Sequence, residues 1–271
     1  MNTFNKITEK ASNYNDLEQM DTMSLLSNMN AEDRKVADAV AEVIPNITKL
    51  VDGLAERFDK GGRLFYIGAG TSGRLGILDA SEILPTYGMP HDRVIGLIAG
   101  GDVAIRRSVE NAEDDREQAW KDLEAHDIGV LDTVVGIAAS GTTPYVLGGI
   151  EQARAKGLLT AGITNNPGSP LDALSEIGIA MNVGPEFVTG STRMKSGTSQ
   201  KLALNMISTA LMIKIGRVKG NKMVNMQLSN QKLVDRGARF IVDELGVPYD
   251  EAKELLDTHG SVKEAIANFK G

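Results

Sequence analysis

Five short, continuously apolar runs recur along the chain, Leu64 to Ile67, Val94 to Ala99, Thr133 to Ala138, Leu159 to Ile163 and Ile177 to Val183, with helical stretches between them. Strands this apolar have no face to offer water, so both faces of their sheet must be covered, and helical crossovers make neighbouring strands parallel. The predicted fold is therefore α/β: a doubly wound parallel sheet of about five strands flanked by helices. In such sheets ligands lie beyond the carboxyl ends of the strands, where the strand order reverses. The first run leads into Gly68-Ala69-Gly70-Thr71-Ser72-Gly73 and the third into Ala139-Ser140-Gly141-Thr142-Thr143, which places two glycine loops at that edge.

Around this sheet the amino third reads as helix. Asn30 with Asp33 is expected to start one helix, on which Val36, Val40 and Val43 recur at helical spacing. Pro45 opens a second, Asn46 to Phe58, stopped by Gly61-Gly62. The helix after the first glycine loop is expected to stop near Pro85. From Ser196 to Gly216 the sequence is apolar almost all round beyond Leu202, which suits a core helix or a subunit interface. After Gly220 the chain is more polar and reads as short helices broken at Gly246 and Gly260. The expected division is residues 1–50 as an amino-terminal helical segment on the core, 51–220 as the ligand-binding domain and 221–271 as a helical appendage.

Both loops combine glycine with hydroxyls. Glycine lets a ligand approach the backbone, and N–H groups at a helix start point at an anion. Gly70, Thr71, Ser72 and Gly73, with Ser140, Gly141, Thr142 and Thr143, are thus candidates to hold a terminal phosphate monoester. The first loop also fits G-x-G-x-x-G, the dinucleotide fingerprint. However, the next apolar run ends in Gly100-Gly101-Asp102, too far along for the acidic residue such a site needs. Two tight turns with no ligand are the plain alternative. A third anion site is expected where Ser191, Thr192, Arg193, Lys195 and Thr198 open the Ser196 helix, with ordinary capping as the alternative. Arg74, Arg106 and Arg107 are further cationic candidates, the last two being equally suited to solvated surface.

Composition narrows the chemistry. With no cysteine there is no thiolate nucleophile and no Cys-ligated metal, and the three histidines, His91, His126 and His259, are too scattered for a metal site or a Ser-His-Asp triad. No metal or cofactor is expected. A formal charge of −7 argues against nucleic acid as a partner. No long apolar run and no charged-apolar leader is visible, the start being Met1-Asn2-Thr3-Phe4-Asn5-Lys6, so no membrane segment and a cytoplasmic location are expected.

Several separated motifs, in order, strongly resemble the N-acetylmuramic acid 6-phosphate etherase family: Gly68 to Gly76 with Asp79-Ala80-Ser81-Glu82, Leu97 to Gly101, Glu110-Asn111-Ala112-Glu113-Asp114, Ala138 to Tyr145, and Thr189 to Thr198. The resemblance runs from Thr8-Glu9 to Asn221-Lys222-Met223-Val224. It implies a sugar isomerase (SIS) domain, a sugar 6-phosphate substrate, a ubiquitin-associated-like three-helix tail, and cleavage of the lactyl ether of N-acetylmuramate 6-phosphate to N-acetylglucosamine 6-phosphate and D-lactate during cell-wall recycling. The family's two catalytic glutamates fall on Glu82 and Glu113. One departure lies beside the first, where Ile83-Leu84-Pro85-Thr86 replaces the usual Cys-Pro-Pro-Thr.

Such a reaction needs two acids in opposite protonation states and no cofactor. Glu82, next to Ile83 and Leu84, is expected to be the acid and Glu113 the base. A straight helix carries Glu82 about 15 Å from Thr71. Either that helix bends or ends early, or Glu82 serves a neighbouring subunit; the second option, a homodimer with shared sites, is preferred. A non-catalytic sugar-phosphate sensor, resembling animal glucokinase regulatory proteins, and an aldose–ketose isomerase are the competing readings.

Overall fold

The alternation inside each apolar run assigns its side chains to two cores on opposite faces of one sheet. In the computed structural model, which describes residues 4–228 and 230–269, strands β1 (Leu64–Gly68), β2 (Val94–Ile98), β3 (Thr133–Ile137), β4 (Leu159–Thr164) and β5 (Ile177–Ala180) form a parallel sheet in the order β2-β1-β3-β4-β5. Leu64 and Tyr66 of β1 point to one face, and Phe65 and Ile67 to the other. Helices α2 (Lys35–Ala41), α3 (Ile44–Asp59), α4 (Gly70–Tyr87) and α9 (Lys195–Lys214) share the first core. The second core is shared by α6 (Gln118–Glu124), α7 (Pro144–Ala155) and α8 (Pro170–Leu174). The order reverses between β1 and β3, so both glycine loops flank the switch point.

Local sequence explains most helix limits and misses one. Ile47, Leu50, Val51, Leu54 and Phe58 line the buried stripe of α3, and Pro45 sits in its first turn. Val36, Val40 and Val43 are buried as their spacing predicts. The start expected at Asn30 and Asp33 is instead the last turn of α1 (Thr22–Asp33). The cap is Asp21, whose side chain accepts from the Ser24 N–H at 2.8 Å. Helix α4 does stop near Pro85, but the proline is not what stops it. A proline removes only one hydrogen bond, and α4 continues to Tyr87 before Gly88 ends it at φ +62°.

Helix α9 buries Ala203, Leu204, Ile207, Leu211 and Met212 but leaves Met206 and Ile213 exposed. Its apolar character is thus split between the core and a surface face. After the hairpin β6 (Val218–Lys219) and β7 (Lys222–Met223) come α10 (Gln231–Leu245), α11 (Tyr249–His259) and α12 (Val262–Asn268). These three pack around their own core of Ala238, Ile241, Ala252, Leu256, Val262 and Ala265. Gly246 and Gly260, the expected breaks, cap α10 and α11 in the left-handed conformation.

Candidate active site

The loop after β3 has its shape set by Gly141. At φ +67° it occupies a conformation that L side chains avoid, and a Cβ there would lie 2.1 Å from the Ser169 Oγ. The backbone N–H and the hydroxyl of Thr142 both donate to the Ser140 Oγ, at 3.2 and 3.1 Å, which leaves the Ser140 proton free to donate outward. Helix α7 follows directly, and no side chain caps its amino end. Its leading N–H groups therefore face the loop mouth without an internal anion. Behind the loop, the Asn166 side chain donates to the Ala139 carbonyl at 2.9 Å and to the Thr8 hydroxyl at 3.0 Å.

The loop after β1 distributes its residues in three directions. Gly70, the first residue of α4, lines a cavity of about 460 Å³ together with Arg74 and Glu113. Thr71 faces a smaller cavity of about 280 Å³ between the starts of α4 and α9, lined also by Arg193, Thr198 and Lys201. Ser72 is buried, and its hydroxyl donates inward to the Gln200 Oε1 of α9 at 2.9 Å. Gln200 in turn donates to Asn165 Oδ1 at 3.3 Å. Gly73 packs α4 against the sheet, for a Cβ there would meet Gly68 O at 2.8 Å. Of the expected phosphate hydroxyls in this loop, that of Ser72 is already committed to Gln200.

The start of α9 is different from the open anion site expected there. Glu186 accepts from the backbone N–H groups of Lys195 and Ser196, at 3.0 and 2.9 Å, and from the Ser196 hydroxyl at 2.7 Å. An internal carboxylate thus occupies the helix end. Lys195 is buried, with its Nζ 2.5 Å from Glu32 Oε2, while Lys35 reaches the other Glu32 oxygen at 2.7 Å. Burial acts to raise the Glu32 carboxyl, but hydrogen bonds and charge from Lys195 and Lys35 outweigh it and hold the group below the usual glutamate range. The Lys195 ammonium is thereby directed to Glu32 and not to the glycine loops. Ser191 is half-buried beside this end, and Arg193 is exposed.

Glu113 sits on a 3-10 turn, Ala112–Asp114, entered through Asn111 at φ +59°. Asparagine tolerates that region better than other side chains do, and the turn delivers Glu113 to the cavity that Gly70 and Arg74 line. Glu82 lies elsewhere. Helix α4 is continuous through it, so the early end considered from sequence does not occur, and Glu82 is exposed about 18 Å along the axis from Gly70. Ile83 turns into the core instead of enclosing it. One chain therefore brings Glu113, Gly70 and Arg74 together and holds Glu82 apart.

Sequence reasoning missed Asn165, Asn166, Gln200, Glu186 and Glu32. The two asparagines follow β4 at the ligand edge, a placement that was open to notice; the two glutamates have no local signature. It also undervalued Asp79, whose carboxylate accepts from the Tyr66 and Ser208 hydroxyls, each at 3.0 Å, tying α4 to β1 and α9. Burial pushes the Asp79 carboxyl up to about 6 despite those two hydrogen bonds. Among the described residues there is no group of three or more His, Cys, Asp or Glu placed to hold a metal, and no helix long and apolar enough to cross a membrane.

A parallel sheet in this order, with hydroxyl-rich glycine loops at its switch point, defines a SIS-domain protein. Residues 46–154 match the glucokinase regulatory protein N-terminal SIS domain and residues 115–210 the SIS domain. The fold is shared with a phosphoheptose isomerase from Francisella tularensis (TM-score 0.54, 16% identity, covering 72% of this chain and 100% of that one). A phosphoheptose isomerase from Neisseria gonorrhoeae is similar (TM-score 0.53, 15% identity, 70% and 97%). At such identities the likeness is one of fold alone. Sequence relatives are much nearer. The chain is 61% identical over 268 residues to an N-acetylmuramic acid 6-phosphate etherase from Bacteroides fragilis, covering 99% of this chain and 95% of that protein. Proteins of the same name from Christiangramia forsetii and Cronobacter sakazakii are 61% and 52% identical, over 100% and 93% of this chain and 98% and 85% of their own lengths. The chain belongs to the N-acetylmuramic acid 6-phosphate etherase family.

Proposed function

We propose that this protein cleaves the D-lactyl ether of N-acetylmuramic acid 6-phosphate, giving N-acetylglucosamine 6-phosphate and D-lactate in cell-wall sugar recycling in the cytoplasm. Near full-length identity to the etherases supports the reaction. The observation that carries the site is Glu113 facing a cavity that Gly70 also lines, at the uncapped start of α4 beside the sheet's switch point. The phosphoryl group rests on Ser140, Gly141, Thr142 and Thr143 and the first N–H groups of α7, with Gly70, Thr71, Ser72 and Gly73 closing the other side.

In the open-chain sugar the C1 aldehyde acidifies the C2 proton. Glu113 takes that proton as base, the C2–C3 double bond forms, and the C3–O bond breaks as Glu82 protonates the leaving lactyl oxygen. Water then adds across the double bond. Glu82, now a carboxylate, takes a proton from the water that attacks C3, and Glu113 returns its proton to C2. No electrons are transferred to or from a cofactor at any stage.

Glu82 reaches the site from a second subunit in this reading. Leu78 on α4, one turn before Glu82, is exposed, as are Met206 and Ile213 on α9, and α4 packs against α9. That face is suited to a homodimer in which Glu82 of the partner subunit completes each cavity. The division into an amino-terminal helical segment (1–50), a SIS domain (51–220) and a tail (221–271) belongs to the same proposal. The tail's separate core supports its limit, whereas α3 runs across residue 50.

The test is D-lactate release from N-acetylmuramic acid 6-phosphate in chelator-treated buffer. Glu113→Gln and Glu82→Gln are each expected to slow release about 10² to 10⁴-fold. Near wild-type release by both variants would remove the mechanism. Mixed and reassembled, the two inactive variants are expected to recover about a quarter of wild-type activity, because half the dimers are hybrids with one intact site. No recovery would place both glutamates in one subunit's site.

A further inference from the structure

Arg74 is the only cationic side chain lining the cavity that holds Glu113, among the described residues, and its neighbours there include Glu110 and Asp114. Its Nε donates to the Ile105 carbonyl at 2.9 Å, which fixes the plane of the guanidinium. Although three carboxylates line the same cavity, Arg74 makes no ion pair with any of them. Its two terminal nitrogens also have no hydrogen-bond partner among the described residues. The structure therefore presents a tethered guanidinium with an unpaired fork of N–H donors on the wall of the cavity where the reaction is proposed to occur.

We propose that Arg74 recognises the carboxylate of the lactyl group, and so determines which 3-O-substituted sugar phosphate is accepted. The inference rests on the etherase reading of this site. That substrate has two anionic ends, a phosphoryl dianion at C6 and a single carboxylate on the C3 substituent. A cavity edged by Glu110, Glu113 and Asp114 disfavours the dianion, which has the uncapped start of α7 available instead. A planar monoanion matches a guanidinium fork, where two parallel N–H···O bonds set both distance and orientation.

Held there, the carboxylate fixes the ether oxygen relative to C3. The cation also offsets negative charge that develops on the leaving lactyl oxygen next to it. Recognition of this kind separates substrate from product as well. N-acetylglucosamine 6-phosphate keeps the phosphoryl group but has lost the group that Arg74 holds, so its binding is weakened and release is favoured.

The experiment compares N-acetylmuramic acid 6-phosphate with its lactyl carboxamide, which has the same ether but no charge, in the full-length wild-type protein and in Arg74→Gln and Arg74→Lys. Wild type is expected to prefer the acid about 100-fold in kcat/KM. Arg74→Gln is expected to lose about 100-fold on the acid and under about 3-fold on the amide, so the preference falls to near one, with Arg74→Lys between them. Equal losses on both substrates would overturn the proposal and leave Arg74 as a tether for the Ile105 backbone. So would a matching loss of affinity for N-acetylglucosamine 6-phosphate, which would put Arg74 at the phosphoryl group. Should Arg74→Gln fail to fold, wild type alone decides, because equal turnover of acid and amide rules the recognition out. Failure of wild type to release a product from either compound would instead overturn the etherase reading.

Discussion

Helices α7 and α9 begin close to the same sheet edge behind similar Ser, Thr and Gly-rich segments, yet their ends are in opposite states. The start of α7 has no side-chain cap, and the hydroxyls of Ser140 and Thr142 are arranged around it. The start of α9 is filled by Glu186, and the lysine beside it is neutralised by Glu32. A helix end carries the same partial positive charge in either place. What differs is whether the protein supplies its own anion. One end is filled as part of the architecture, and the other has no side-chain cap.

The sharpest way to break this contrast is Lys195→Met. It leaves Glu32 buried with only Lys35 as partner, and is expected to destabilise the fold by about 3 to 5 kcal/mol in urea denaturation. The folded fraction should keep its KM for the sugar phosphate; a raised KM with unchanged stability would make Lys195 a substrate ligand after all. Adding Glu32→Gln should restore much of the loss, because the stranded charge is removed.

A smaller effect comes from Asp79, a buried carboxylate on the α9 side held by hydroxyls and not by a cation. Its folded value, pushed up to about 6, exceeds its unfolded value, so the native state binds the proton more tightly. The resulting stabilisation is complete below about pH 4 and is lost as pH rises through about 6, a change of about 3 kcal/mol. Asp79→Asn should flatten that part of the stability-versus-pH curve, measured as thermal midpoints between pH 4 and 7. An unchanged curve would assign the slope to another group.

The smallest expected effect tests the open end. Ser140→Ala and Thr142→Val should each weaken sugar-phosphate binding by about 1.5 to 3 kcal/mol, the range for hydrogen bonds to a charged group. Stability should change little. If either variant lost stability and kept its KM, the loop would be structural like the start of α9, and the contrast between the two ends would vanish.

The strands were legible because a fully buried strand advertises itself in consecutive apolar residues, as at Leu64 to Ile67. Gly246 and Gly260 were legible as stops because left-handed helix ends favour glycine. Asn30 misled, and Pro85 lies near a stop that it does not cause. Each is a plausible boundary residue, but Asp21 and Gly88 hold those positions. At the candidate site, Gly70 and Gly141 stood out by loop chemistry, and Glu113 only through the family resemblance. Lys195 was not, because a lysine beside a helix start looks the same whether it faces a ligand or an internal glutamate 163 positions away.

Short-range pattern was enough for the sheet, the two glycine loops and the absence of thiol chemistry, since each depends on residues a few positions apart or on composition. Packing alone settled which of the hydroxyls and cations still have free bonding capacity. Ser72 turns to Gln200, Glu186 fills α9, and Arg74 is left unpaired beside Glu113. Free capacity depends on what lies across the fold, on burial and on distances below 4 Å between segments remote in the chain, and no local motif encodes those.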